Sequence, residues 1–277
     1  MSRGRTLPRC MATTILPSML RTLLAGLAVA VATIALAPLA VLGHLLGLRA
    51  RGGGLQQWCM RTWARSVSAA AGVSIVVHGR EHIVAERGTV YVSNHVSWFD
   101  IFSIAVVLPR YTFVAKEELR RIPIFGWGAE GAGVVFLSRE NRKSAFEAYH
   151  EVAEKVAQGL SVVVCPEGTR GGSYALRPFK KGPFVLAIAA KAPIVPVVVY
   201  GAREIMPREA WRVRSGTVHV HFLPPIETAA YGYDQRHELM HQVWSSMATL
   251  LRDSYGVQTV EQPVARPLAE HMARHMA

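Results

Sequence analysis

Two short apolar runs, Ser161–Cys165 and Ile194–Val199, most constrain the fold of this 277-residue chain. Continuous runs of this kind are typical of strands that are buried on both faces, as in parallel sheets. Between them lies Gly182–Ala190, which has the composition of a helix. Further strand-like and helix-like segments alternate beyond residue 72. This alternation predicts an α/β fold, with a mostly parallel central sheet flanked by helices.

The remaining elements follow from β-branched runs and from helical spacing. Strands are predicted at Val73–Val77, Thr89–Ser93, Tyr111–Ala115, Gly133–Ser138 and Thr217–Phe222, and helices at Ile101–Leu108, Arg142–Gln158 and Asp234–Tyr255. We expect a basic N-terminal tail (1–22), a membrane-associated helical segment (23–71), one α/β domain (72–257) and a disordered tail (258–277).

The N-terminal segment is long and apolar. From Leu23 to Leu48 it runs 26 residues without a formal charge, and about 20 apolar residues suffice to cross a bilayer. Pro38 interrupts the run, so two interpretations remain: a tilted or kinked helix that crosses the membrane, and a segment that enters and leaves on the same side. Arginines flank both ends equally, which favours ends on the same side of a membrane. A cleaved signal peptide ending at Ala35–Ala37 is a third interpretation.

The charge distribution predicts one partner and argues against another. The net charge is +12, and nine arginines but no acidic residue precede Glu81. A basic and apolar N-terminal third suits an anionic membrane surface. Nucleic acid is not expected as a partner, because these arginines flank an apolar run and do not cluster with aromatic side chains on a polar face.

The segment Asn94–Asp100, straight after a predicted strand, places an imidazole and a carboxylate five positions apart. A histidine oriented by a carboxylate is a general base for a hydroxyl group or a water molecule. On one continuous helix, His95 and Asp100 would point about 140° apart. The two side chains therefore meet only if a helix begins between them, near Ser97 or Trp98. The alternative for an isolated pair is a buried histidine bonded to nearby backbone.

Four further motifs follow in order along the chain. They are Gly133–Arg139, a strand ending in an arginine; Cys165–Arg170, a strand end that turns through glycine; Phe179–Gly182, a basic loop that opens a helix; and Ile194–Val198, a buried strand with a proline. With the histidine segment they supply HxxxxD, GxxFxxR, EGTR and V-P blocks. The ordered set resembles the phospholipid and glycerol-phosphate acyltransferase family, and within it the bacterial 1-acyl-sn-glycerol-3-phosphate acyltransferases. The resemblance covers about residues 75–225.

The resemblance implies a reaction and a location. An acyl group would pass from acyl-CoA or acyl-carrier protein to the free hydroxyl of 1-acyl-sn-glycerol 3-phosphate, which gives phosphatidic acid. His95 would be the general base and Asp100 would hold its tautomer, with no acyl-enzyme, no cofactor and no metal ion. We expect a membrane-associated enzyme, at the inner membrane, with its catalytic domain facing the cytoplasm.

Cations are needed for the phosphate of the acceptor, and Arg139 and Arg170 are candidates because a guanidinium matches phosphate oxygens bidentately. Glu167 would orient an arginine or bond a glycerol hydroxyl; a salt bridge from Glu167 to Arg170 that stiffens the turn is the alternative. The full set of predicted substrate-binding residues is Lys116, Arg139, Glu167, Gly168, Thr169, Arg170 and Lys180. Lys180 is equally well explained as part of a solvated loop.

Several other interpretations stay open at this point. One alternative is the same reaction on a different acceptor, such as lyso-ornithine lipid, another lysophospholipid or glycerol 3-phosphate. Another is a non-catalytic membrane lipid-binding protein on the same fold. A serine hydrolase is disfavoured because no GxSxG motif occurs. Cys165 is interpreted as a small buried side chain and not as a nucleophile. His219 and His221 share a strand face, but no third metal ligand is evident.

Overall fold

The computed structural model describes residues 18–48, 54–138 and 142–260. The predictions for the start of the basic tail (1–17) and for the end of the disordered tail (261–277) lie outside these residues. The strands are β1 (Val73–His78), β2 (Val90–Ser93), β3 (Tyr111–Lys116), β4 (Val135–Leu137), β5 (Ser161–Val164), β6 (Ile194–Tyr200) and β7 (Gly216–Phe222).

Helices surround these strands. They are α1 (Ser18–Leu45), α2 (Leu55–Ala70), α3 (Trp98–Val107), α4 (Phe125–Gly131), α5 (Arg142–Ala157), α6 (Gly182–Ala190), α7 (Ala202–Ile205) and α8 (Arg236–Tyr255). Short 3₁₀ turns occur at Arg80–His82, Glu117–Arg121 and Tyr233–Gln235.

The described strands form one seven-stranded sheet in the order β1-β7-β6-β2-β5-β3-β4. All neighbouring pairs are parallel except β6 and β7, which are antiparallel. The predicted fold class, a mostly parallel sheet flanked by helices, is confirmed. Because β6, β2 and β5 are neighbours and run the same way, the loops after these three strands meet at one edge of the sheet.

Both faces of the sheet are covered by apolar side chains. Val90 and Val92 of β2 pack with α5, α6 and α8 on one face, whereas Tyr91 between them packs with α3 and α7 on the other. This follows from the alternation of side chains along a strand. Burial on both faces explains why Ser161–Cys165 and Ile194–Val199 are continuously apolar.

The N-terminal helix α1 is continuous, and Pro38 lies inside it without ending it. Among the described helices, α1 alone is long and apolar enough to cross a membrane by length and composition, a criterion that signal sequences and core helices also meet. It packs beside α2, where Trp63 Nε1 donates to Thr33 Oγ1 at 2.9 Å. Its first turns are tied to the domain, since Arg21 donates to the Ala71 carbonyl at 3.0 Å.

Helix α1 also packs closely on α4, through residues without bulky side chains. A Cβ atom placed on Gly128 would lie 2.4 Å from Ala37 Cβ, and one on Gly131 would lie 2.9 Å from Val41 Cα. Helices approach this closely only where small residues face each other. Helix α1 is therefore packed closely against the α/β domain at α4.

We expect Gly128→Val to loosen this packing. Overfilling a close contact costs about 1–3 kcal/mol, which would lower the thermal unfolding midpoint of the protein in detergent micelles. Gly232→Val is the matched control, because a Cβ there meets only Gln235 Oε1, at 3.8 Å. Equal midpoints for the two variants would contradict the close approach of α1 to α4.

Candidate active site

The start of α3 brings His95 and Asp100 together. Ser97 caps the helix, accepting a hydrogen bond from the Phe99 N–H at 3.3 Å, and the helix begins at the next residue, as predicted. Asp100 Oδ2 accepts the N–H groups of Val96 and Ser97 at 2.6 and 2.7 Å. The same oxygen lies 3.0 Å from His95 Nδ1. The turn between the two residues thus makes the contact that a continuous helix would forbid.

This geometry gives His95 the form of a general base. The side chain of Asp100 is 0% exposed and that of His95 is 16% exposed. Backbone donors at a helix N-terminus stabilise a carboxylate there, so Asp100 accepts the Nδ1 hydrogen of the ring. His95 Nε2 then carries the lone pair that can take a proton.

The strand before His95 is fixed by a side chain. Asn94 is buried, and its Nδ2 donates to the Val199 carbonyl at 3.0 Å while its Oδ1 accepts the Val199 N–H at 2.8 Å. These two bonds prolong the pairing of β2 with β6 by one residue. The position of His95 relative to the sheet is therefore set by the residue next to it.

Glu167 connects the His95 loop to the turn after β5. Its Oε1 accepts the His95 N–H at 3.0 Å, and its Oε2 accepts Arg177 Nε at 3.0 Å. Burial raises the pKa of the Glu167 carboxyl above its ordinary value, although Arg177 and the His95 N–H oppose this shift. The arginine that Glu167 orients is thus Arg177. The alternative prediction of a salt bridge from Glu167 to Arg170 is wrong, because Glu167 pairs with Arg177.

The rest of the turn is held by the same arginine. Arg177 Nη1 donates to Thr169 Oγ1 at 3.0 Å and its Nη2 donates to the Thr169 carbonyl. Gly168 has φ +79°, and a Cβ there would lie 2.9 Å from Lys180 Cε. The left-handed conformation therefore favours glycine here, and the flexible end of the Lys180 side chain lies beside it.

Arg170 lies against the first residue of α3. Its guanidinium carbon is 5.0 Å from the centroid of the Trp98 ring, a distance at which a cation is attracted to the face of an aromatic ring. Burial lowers the pKa of Arg170 below its ordinary value, and the charge of Arg208 acts in the same direction, while Asp100 opposes both. Arg170 therefore lies beside the first turn of α3, the helix that contains Asp100.

Of the other two predicted substrate-binding cations, Lys116 lies at the cavity and Arg139 lies outside the described residues. Lys116, at the end of β3, lies with its ammonium group 3.8 Å from Glu118 Oε1 and lines the same cavity as His95. The predicted role of Arg139 in phosphate binding stays a prediction.

One cavity, of about 1080 Å³, is lined by most of the predicted site residues. These are His95, Lys116, Gly168, Thr169, Arg170 and Lys180, whereas Asp100 and Glu167 are not among the lining residues. Apolar side chains of α1, α2, α3 and α4 form much of the remaining lining. A site that combines a base, several cations and a long apolar wall suits an amphipathic substrate.

Cys165 is half-buried and lines the same cavity.

Three histidines lie close together on the neighbouring strands β1 and β7. The ring of His78 on β1 stacks on His221 with centroids 4.2 Å apart, and His78 Nε2 lies 3.1 Å from His219 Nδ1. Sequence reasoning missed His78. Among the described residues, no group of three or more His, Cys, Asp or Glu side chains could hold a metal ion.

The chain is similar to characterised proteins over this same region. Residues 74–200 match a family model described as Acyltransferase. The 1-acyl-sn-glycerol-3-phosphate acyltransferase of Saccharomyces cerevisiae is 31% identical over 204 residues, which cover 72% of this chain and 67% of that protein. The chain belongs to this acyltransferase family. The family predicted from the motifs is confirmed.

Two further relatives give the extent of the similarity. The human 1-acyl-sn-glycerol-3-phosphate acyltransferase alpha is 35% identical over 184 residues. The matched region covers 66% of this chain and 65%, just under two thirds, of that protein. The crystal structure of the 1-acyl-sn-glycerophosphate (LPA) acyltransferase PlsC from Thermotoga maritima has the same fold, with a TM-score of 0.72, 23% identity, and coverage of 87% of this chain and 98% of that one.

Two arginines near the site were not found by sequence reasoning. Arg177 lies ten residues beyond Glu167, and Arg208 lies in the loop after α7 and lines the cavity. Neither belongs to one of the quoted motifs, so no local pattern marks them. The signal that could have found them is the need of the buried Glu167 for a counterion and of a phosphate for more than one cation.

We expect Arg177→Met to destabilise the protein in a pH-dependent way. Without this cation the pKa of Glu167 rises further, so the buried carboxylate costs about 1–3 kcal/mol more above that pKa. The deficit shrinks as the pH falls through the raised pKa, because Glu167 is then protonated in the folded state. Thermal unfolding midpoints from about pH 8 to about pH 5 measure this.

Two controls define the Arg177 experiment. Arg87→Met removes the partner of the exposed Glu227, and its small effect should not follow the same curve. In Glu167→Gln protein the added Arg177→Met change should cost much less than in the wild type, because the two residues are coupled. A deficit that is constant with pH would contradict the assigned pair.

Proposed function

We propose that the protein is an O-acyltransferase that moves an acyl group from an acyl thioester to the free hydroxyl of 1-acyl-sn-glycerol 3-phosphate, forming phosphatidic acid. The observation that carries this proposal is the position of His95, which is oriented by the buried Asp100 and shares a cavity with Arg170 and Lys180. The named activity of the human and yeast relatives supports the same acceptor.

The mechanism follows from this position. His95 Nε2 removes the proton of the acceptor hydroxyl as the oxygen attacks the thioester carbonyl, and Asp100 stabilises the imidazolium that forms. The tetrahedral intermediate then expels the thiolate, which takes the proton back from His95. General base assistance of this kind contributes about 10²–10⁴ in rate. Each proton and the leaving group are thus accounted for without an acyl-enzyme.

The apolar part of the cavity suits the fatty acyl chains. Phe125 on α4 lines it and packs against Trp63 of α2, with ring centroids 5.9 Å apart. Trp127 on the same helix points out and is 67% exposed. The segment Lys116–Trp127 thus contributes both lining residues of the cavity and an exposed apolar surface.

The proposed location is a membrane surface. Large side chains of α1 face outward, among them Leu23 at 64%, Leu27 at 60% and Ile34 at 62% exposed. An apolar surface of this size is unfavourable in water, and a basic N-terminal third favours anionic lipids. We place the protein at the inner membrane with its catalytic domain on the cytoplasmic side, where acyl-CoA or acyl-carrier protein supplies the acyl group.

We expect His95→Ala and Asp100→Asn each to lower kcat for lysophosphatidic acid by about 10²–10⁴ while the protein stays folded. Initial rates with a radiolabelled acyl-CoA, and in parallel with acyl-carrier protein, measure this and identify the donor. His150→Ala is the control, because that ring is exposed on α5. Wild-type rates in folded His95→Ala protein would refute the general base, and a panel of other lysolipids would test the acceptor.

We expect Cys165→Ser to keep most of the activity, because transfer in one step needs no thiol nucleophile. Incubation of the wild type with acyl-CoA and no acceptor should add no acyl mass to the protein. Mass spectrometry of the intact chain measures this. An acylated Cys165 peptide, lost in Cys165→Ser together with turnover, would establish the covalent alternative instead.

A further inference from the structure

The segment Met206–Ser215, between α7 and β7, is irregular but anchored at both ends. Ser97 Oγ donates to the Met206 carbonyl at 2.8 Å, and the Val213 N–H donates to Thr22 Oγ1 at 2.8 Å. Ser97 is the residue that caps α3, the helix of Asp100. The segment therefore has a fixed position relative to His95. Its side chains that line the cavity are held in place by these two anchors.

Arg208 is the cation that this segment carries into the site. It lines the cavity that also contains His95 and Arg170, and its charge contributes to the lowered pKa of Arg170. None of the salt bridges of the described residues joins either guanidinium to a carboxylate, although the charge of Asp100 acts favourably on Arg170. Two like charges that line one cavity repel each other, and an anion bound between them offsets this repulsion.

We propose that Arg208, together with Arg170, binds the phosphate group of the lipid acceptor. This inference rests on the proposed function, since it concerns the same reaction. Two guanidinium groups offer separate forks of N–H donors, and a phosphate monoester has enough oxygen atoms to accept from both. Arg208 is thus a substrate-binding residue that lies outside the four sequence motifs.

The acceptor is favoured over the donor because of where phosphate lies in each molecule. In 1-acyl-sn-glycerol 3-phosphate, one carbon and one ester oxygen separate phosphorus from the carbon that bears the reacting hydroxyl. In acyl-CoA the whole pantetheine arm separates the thioester from the nearest phosphate. Arg170 is near the base, because the next residue, Gly171, donates its N–H to the His95 carbonyl at 2.7 Å.

The pair of arginines also predicts a preference among headgroups. A phosphate monoester carries close to two negative charges at neutral pH, whereas the diesters of lysophosphatidylglycerol and lysophosphatidylcholine carry one on phosphorus. Loss of one guanidinium therefore weakens binding of the monoester more than binding of a diester. This selectivity is a readout that a merely structural role of Arg208 would not change.

The test is steady-state kinetics of Arg208→Gln in the full-length protein. We expect KM for 1-acyl-sn-glycerol 3-phosphate to rise about tenfold or more, the loss typical of a charge-assisted hydrogen bond, with kcat and KM for acyl-CoA little changed. Arg208→Lys should lie in between. Arg212→Gln is the matched control from the same segment and should leave KM unchanged, because Arg212 is exposed and is not among the residues that line the cavity.

The outcomes separate this inference from the proposed function. If the wild type acylates the acceptor and Arg208→Gln leaves its KM unchanged, or raises only KM for acyl-CoA, the inference is overturned and the function stands. If the wild type acylates no lysolipid, the proposed function fails. Equilibrium binding of the acceptor to folded His95→Ala protein, with and without Arg208→Gln, then tests the arginine separately, and equal affinities would overturn its role.

Discussion

The buried carboxylate of Glu167 joins two loops on which the whole site depends. One of its oxygens accepts the N–H of His95 and the other accepts Arg177 Nε, while Arg177 also donates to both oxygen atoms of Thr169. The carboxylate of Glu167 therefore fixes the distance between His95 and the turn Glu167–Arg170. Burial raises the pKa of this carboxyl, which is the cost of placing a charge there. Since both oxygens have internal partners and Glu167 is not among the residues that line the cavity, we propose that Glu167 acts by positioning His95.

The order of the strands makes this connection short. Since β2 lies between β6 and β5, the segments that follow these strands are adjacent at one edge of the sheet. Asn94 extends the β2–β6 pairing up to the base, and the loop after α7 returns over the same edge with Arg208. Residues from three distant parts of the sequence thus meet because of topology, and each is then fixed by a polar contact to its neighbour.

Elements set by local patterns were predictable from the sequence, whereas pairings between distant residues were not. Apolar runs and β-branched composition gave the sheet and its class, and the five-residue spacing of His95 and Asp100 required the helix start after Ser97. In contrast, the sequence offered Arg170 as an alternative salt-bridge partner of Glu167, because Arg170 is near in sequence, whereas the fold supplies Arg177. His78 joins the strand histidines only through the β1–β7 register, which no pattern on either strand specifies.

The sequence of α1 is best explained by its two different surroundings. Residues that it buries are mostly small, such as Ala25, Ala32 and Ala40, whereas the side chains that it exposes are large and apolar. A helix on a protein in water has the opposite arrangement, with large apolar residues inside and polar ones outside. Small residues on the inner side leave room for the cavity and for the close approach of α4. The inner side of helix α1 therefore lines the cavity, whereas its outer side favours a lipid environment.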